Sequence, residues 1–196
     1  LIRRKGAPGV RRRIGSGLPE PTINALASRQ SRPARAPAPP LPAFDALDRT
    51  HRRVMELLAQ FDRLLAHLDR HGPDAQARAL ALEIHEFFSH HAQQHHADEE
   101  RLVFPGLLAS GDAALVQHVQ RLQQDHGWLE EDWLEFAPPI EAVSRGDNWY
   151  DLAMLRAALA VFRALYEEHI GLEESLIHPE ARRRQQALED GAATRG

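Results

Sequence analysis

From Phe44 onward, apolar residues recur at alternating steps of four and three. Leu47, Val54, Leu58, Phe61, Leu65 and Leu68 mark one line, with His51 filling a position that the same steps require. That spacing places side chains on one face of a helix, and the line ends at Gly72-Pro73. A second helix is predicted from about Asp74 to Phe104, halted by Pro105. A third follows Leu115, Val119, Leu122, His126, Leu129, Trp133 and Phe136 until Pro138-Pro139. Beyond a loop at Gly146-Asp147-Asn148, a fourth runs through Leu155, Leu159, Phe162, Tyr166, His169, Glu173 and Leu176 to Pro179. No strand-like alternation of any length appears. Four helices with mostly short connections predict an all-α, up-down-up-down four-helix bundle over residues 43–182.

The polar residues inside these stripes need an explanation. His51, His126, His169 and Glu173 occupy core positions of regular apolar lines, where an unpartnered carboxylate costs several kcal/mol. They also belong to a repeat. His95-His96-Ala97-Asp98-Glu99-Glu100 and the following Leu102 and Pro105 match His169, Glu173, Glu174, Leu176 and Pro179 at identical spacing. Leu47 to His51 matches Leu122 to His126, with offsets of 75 residues for the first histidines and 74 for the second. Residues four apart lie on one helix face, so His95 with Glu99, and His169 with Glu173, can address one site. Antiparallel neighbours bring His51 to the height of His95, and His126 to that of His169. All six are then expected near one end of the bundle. Imidazole and carboxylate without thiolate suit iron or manganese better than zinc. If both glutamates bridge two metals, each metal receives two histidines and two carboxylate oxygens. A bridging oxo or hydroxo group makes five donors and leaves a sixth position for a small diatomic molecule or peroxide.

Composition sharpens this picture by exclusion. The chain has no cysteine, which removes disulfides, thiolate zinc sites and iron–sulfur clusters held by its own residues. No run of apolar residues is long enough to span a membrane, and no secretory signal is visible, so a cytoplasmic location is expected. Residues 1–42 carry nine basic residues and one acid, with Pro, Gly, Ser and Ala runs, and read as a disordered basic leader. The remaining residues hold 15 basic against 27 acidic residues, a net of −12. The leader reads as a solvated tail, with no nucleic-acid partner expected, and residues 183–196 as a flexible C-terminal tail.

The motif His95-x-x-x-Glu99-Glu100-x-Leu102-Val103-Phe104-Pro105, with its second copy ending Leu176-Ile177-His178-Pro179, resembles the signature of the hemerythrin-like HHE cation-binding family. The likeness covers about residues 44–182. It implies a four-helix bundle around a carboxylate-bridged di-iron centre responsive to oxygen or nitric oxide, with His51, His95, Glu99, His126, His169 and Glu173 as ligands. Oxygen carriers of that family place a histidine four residues after the third-helix ligand, where this chain has Glu130, and their last carboxylate five residues after its histidine, where this chain has Glu174. The four-histidine, two-glutamate set is closer to bacterial proteins linked to iron–sulfur repair under nitrosative stress.

Around these six, His91 is one turn before His95 and is expected to point inward, more as a core histidine hydrogen-bonded to a carbonyl than as a ligand or a partner of one. Glu130 flanks His126 and reads as a support to the ligands before a ligand itself, and Tyr166, one turn below His169, reads first as core filling and second as a hydroxyl that can donate to a bound small ligand. His96 and Glu100 fall off the stripe and read as a solvent-side pair, while His178 shows no convergent pattern. Three functions fit: a module that binds or senses oxygen, nitric oxide or peroxide or handles iron; a di-iron enzyme such as a peroxidase or nitric-oxide reductase; or a bundle stabilised by a single zinc.

Overall fold

The structure, a computed structural model, describes residues 44–194. The leader read over residues 1–42 lies outside them. Among the described residues there is no strand, and four long helical rods account for nearly all of them. The first is α1 (Phe44–His71). The second joins α2 (Ala75–Glu86) and α3 (Ala92–Leu102) through one π-helical turn, Phe87–His91. A short α4 (Phe104–Leu108) follows, opened by Pro105 in its first turn. The third rod is α5 (Ala113–Arg145). The fourth joins α6 (Leu152–Leu172) and α7 (His178–Ala193) through a second π-helical turn, Glu173–Ile177.

Local chemistry sets the starts. Asp74, Asp112 and Asp151 each stand just before a helix and accept hydrogen bonds from backbone N–H groups of its first turn. Gly146 ends α5 at φ 89°, a left-handed conformation that suits glycine.

Prolines terminate less than the sequence suggests. Pro138 and Pro139 lie inside α5, which continues to Arg145. A proline inside a helix costs roughly 3 kcal/mol. Here Trp133 and Phe136 before it, and Ile140 and Val143 after it, are all buried in the same core. Burying each such side chain contributes roughly 1.5–3 kcal/mol, so packing on both flanks outweighs the break. Pro179 likewise sits in the first turn of α7, and the rod runs on to Ala193. Residues 183–193, read as tail, are therefore helical.

Each rod packs on two others: α1 against α2 and α6, and α5 against α2 and α6. Contacts between the first and last rods run in opposite chain order. Asp69 meets Arg156, His51 meets Glu174, and Asp48 meets Arg182. The buried apolar residues form a larger cluster, from Val54 and Leu68 on α1 to Tyr166 and Ile170 on α6. A smaller one holds Leu47, Val103, Phe104, Leu122 and Ile177. Polar core residues lie between the two. His51 is framed by Leu47 and Val54, His126 by Leu122 and Leu129, and Glu173 by Ile170 and Ile177, each pair with one member in each cluster. The polar layer is thus sandwiched between apolar layers.

Candidate metal centre

All six residues expected to converge do so, and all are buried: His51, His95, Glu99, His126, His169 and Glu173. They form two groups of four. His51 and His95 make one with Glu99 and Glu173, and His126 and His169 make the other with the same two glutamates. Donor atoms within each group lie within 4.8 Å of one another. The glutamates, both wholly buried, are common to the two groups. Nε2 of His51 is 3.1 Å from Glu173 Oε2, and Nε2 of His169 is 3.2 Å from the same oxygen. Nε2 of His126 is 3.5 Å from Glu99 Oε2, and Nε2 of His95 is 3.5 Å from Glu99 Oε1.

The inner atoms of this cluster suit a cation better than they suit one another. Glu99 Oε2, both Glu173 oxygens, and Nε2 of His126 and His169 are buried without a hydrogen-bond partner among the described residues. Native interiors seldom leave polar atoms so. Nε2 of His51 and Nε2 of His95 face each other at 3.0 Å. Two imine nitrogens at that separation need a proton or a cation between them.

Protonation points the same way. Burial, then the neighbouring Glu173 carboxylate, raises the Glu99 pKa well above its ordinary value. Burial would raise Glu173 too, but the charges of His169, His51 and His95 outweigh it and the net shift is downward. The metal-free pair therefore keeps one carboxyl protonated, because two buried like charges repel. Burial lowers His95 well below 6.5 and brings His126 down to about 2, which leaves both rings neutral and ready to ligate. His51 differs: burial acts to lower it, but Glu173 and Glu174 more than offset this and its pKa rises.

Carboxylates also stand behind the rings. Nδ1 of His51 is 3.1 Å from Glu174 Oε1, and Nδ1 of His126 is 3.0 Å from Glu100 Oε1. Nδ1 of His169 is 3.9 Å from the buried Asp125. The hydrogen bonds to Glu174 and Glu100 fix the tautomer of His51 and His126, so that Nε2 of each faces inward as the free donor. Glu174, five residues after His169, thus lies on the outer side of His51, and the four-spaced Glu173 lies at the centre.

Several neighbours sit elsewhere than the stripes suggest. His91 is exposed, stacked at 5.7 Å on Phe87, and does not point inward. It is the last residue of the π-helical turn, whose wider winding swings it outward. The same turn moves the buried line onto Ala92, His96, Glu99 and Val103, so His96 is buried and is not a solvent-side partner of Glu100. Its donor atoms converge with those of His126 and His169. Glu130 is half-exposed, 3.6 Å from Nδ1 of His96. Tyr166 is buried, with its ring 6.3 Å from that of His96. His178 is also buried, its Nε2 3.1 Å from Glu99 Oε1 and its ring stacked on His51. Neither His96 nor His178 lies on the stripes read from the sequence, although His96 matches the apolar and buried Ile170 of the second copy. Asp125 carried a readable signal, since it directly precedes His126 on a strongly patterned helix.

Comparison with known proteins agrees with this geometry. The family model described as hemerythrin HHE cation binding domain matches residues 43–181. A Haemophilus influenzae protein described as uncharacterized is 27% identical over 127 residues, which cover 64% of this chain and 71% of that protein. No solved structure matches at a comparable level of significance. Among the described residues, no helix is long and apolar enough to cross a membrane.

Proposed function

Since the chain belongs to the family of hemerythrin HHE cation-binding domains, we propose that its buried cluster is a two-iron centre that binds a small molecule: dioxygen, nitric oxide or peroxide. The observation that carries this reading is the sharing of Glu99 and Glu173 between the two four-residue groups. One metal would need only one group. Two groups with a common pair of carboxylates suit two ions about as far apart as a bridging carboxylate spans. Iron at such a centre supplies redox activity and a coordination position for the small molecule.

The chain's own residues do the rest. Four imidazoles are neutral donors, and two carboxylates offset the charge of the cations. Glu100 and Glu174 hold the rings of His126 and His51 in the ligating tautomer. The apolar layers on either side keep bulk water from the donors, which strengthens each electrostatic contact. An up-down-up-down order of the four rods is the topology we assign, in keeping with the opposite chain order of contacts between the first and last rods.

Nitric oxide titration of the ferrous protein tests this function. A spectral change that saturates at a fixed ratio to protein supports a binding or sensing module. Steady consumption of nitric oxide or peroxide assigns an enzyme at the same centre. No spectral response to any of the three molecules contradicts the reading.

A further inference from the structure

We propose that the groove between α5 and α6 docks a basic amphipathic helix of a partner protein. The proposal does not depend on the metal centre. The groove floor is apolar and open to solvent: Trp128 and Val161 are 47% and 63% exposed, and Ala160, Ala164 and Leu165 line it beside them. An adjoining cleft carries the floor on from Val161 to Ala158 and Phe136. Between Ala158 and Glu168, α6 thus offers about three turns, or about 15 Å, of continuous lining. Large apolar side chains exposed together mark an interaction surface, whereas scattered ones do not. Tryptophan is also the residue type that most often anchors such a contact. The small side chains of Ala157, Ala160 and Ala164, all exposed, let a third helix lie close against the pair, and an apolar helix face laid into a groove is a recurrent mode of recognition.

The rim selects the charge of the partner. Asp132 lines both parts of the groove, Glu168 borders the first and Glu135 the second. Glu168 already receives Arg121 at 2.7 Å. Among the described residues, no cation pairs with Asp132 or Glu135. Burial, and then the charges of Glu135 and Glu131, raise the Asp132 pKa from its ordinary value. A cation supplied from outside relieves that repulsion, so arginines or lysines flanking an apolar stripe complement this rim. The same acids disfavour a second molecule of this chain. In a two-fold contact each patch faces its own copy, and one centred on Val161 sets Asp132 and Glu135 against themselves. Position adds consequence, because the two helices that form the groove carry His126 and His169 on their buried sides.

Calorimetry and tryptophan emission of the full chain test the proposal. The probe is a synthetic helical peptide of about five turns, with a leucine and alanine stripe flanked by arginines and no tryptophan. Saturable one-to-one binding with a Kd of about 10 µM is expected, with a blue shift of emission that Trp128→Phe removes. Val161→Glu should weaken binding at least about tenfold, and so should Asp132→Asn combined with Glu135→Gln. A purely electrostatic attachment to the acidic surface would tighten with Val161→Glu, and that result overturns the groove as the site. Binding without the Trp128 shift does the same. No saturable binding at about 1 mM peptide, or equal binding of a peptide with glutamates in place of the arginines, overturns the proposal. So does a concentration-dependent dimer of the wild type that Val161→Glu disperses, since the groove then belongs to a second molecule of this chain.

Discussion

Glu100 accepts a hydrogen bond from Nδ1 of His126 at 3.0 Å, although the two stand in different copies of the internal repeat. The arrangement is reciprocal: Glu174, in the second copy, receives Nδ1 of His51 from the first. The second glutamate of each Glu-Glu pair therefore braces the histidine that the other copy contributes. Glu100→Ala is expected to weaken metal binding by about 10- to 100-fold, with a smaller effect for Glu100→Gln, which keeps an acceptor but loses the charge. Competition with a chelator of known affinity measures this, and equal retention by wild type and Glu100→Ala would remove Glu100 from the site.

Glu99→Gln should separate metal binding from stability. Glu99 is wholly buried beside Glu173, with its pKa raised well above the ordinary 4.5. A raised folded-state pKa means that its contribution to stability is present at low pH and is lost as pH rises past 4.5. At neutral pH the carboxyl therefore costs the metal-free fold stability that an amide does not. The variant is expected to melt at an equal or higher temperature without metal, and to retain much less metal than wild type. A variant that melts lower and binds metal normally would contradict the bridging role.

Acid should unfold the metal-free protein. Burial lowers the pKa of His95, His96, His126 and His178 in the fold. A base with a depressed folded-state pKa binds more protons when unfolded, so stability is lost as pH falls below its ordinary 6.5. His51 and Glu99, both raised, act in the opposite direction. Four groups outweigh two, and the net slope favours folding as pH rises from about 5 to about 7. Thermal melts of metal-free protein across that range measure the slope, and a flat or reversed dependence would show that the histidines are not buried neutral.

The stripes and the internal repeat together made the six inner residues legible. His51 and His126 interrupt 4-3 lines that continue on both sides, and His95, Glu99, His169 and Glu173 recur at one spacing in two copies. What stayed hidden depends on features that do not announce themselves in a periodicity. His91 ends the turn at Phe87–His91 exposed, and His96 beyond it is buried, as is Ile170 at the matching position of the second copy. The turn at Glu173–Ile177 delivers His178 to Glu99. Pro138 and Pro139 read as a stop because their cost is local, whereas the burial that overrides it comes from distant partners such as Phe61 and Phe162, whose rings meet Phe136.

Removal of residues 1–42 is expected to change neither metal content nor melting temperature appreciably. Among the described residues, every side chain placed in or behind the cluster lies between Asp48 and Arg182. A shortened chain that loses metal, or melts well below the full one, would assign the leader a part in the centre.

Metal content of the iron-reconstituted wild type tests the central claim most directly, when read together with its absorption spectrum. Two groups of four donors sharing both glutamates call for about two irons per chain, with ligand-to-metal charge-transfer bands in the near ultraviolet after oxidation. One tightly held zinc with no uptake of iron, or a single iron per chain at saturation, would contradict a centre bridged by Glu99 and Glu173.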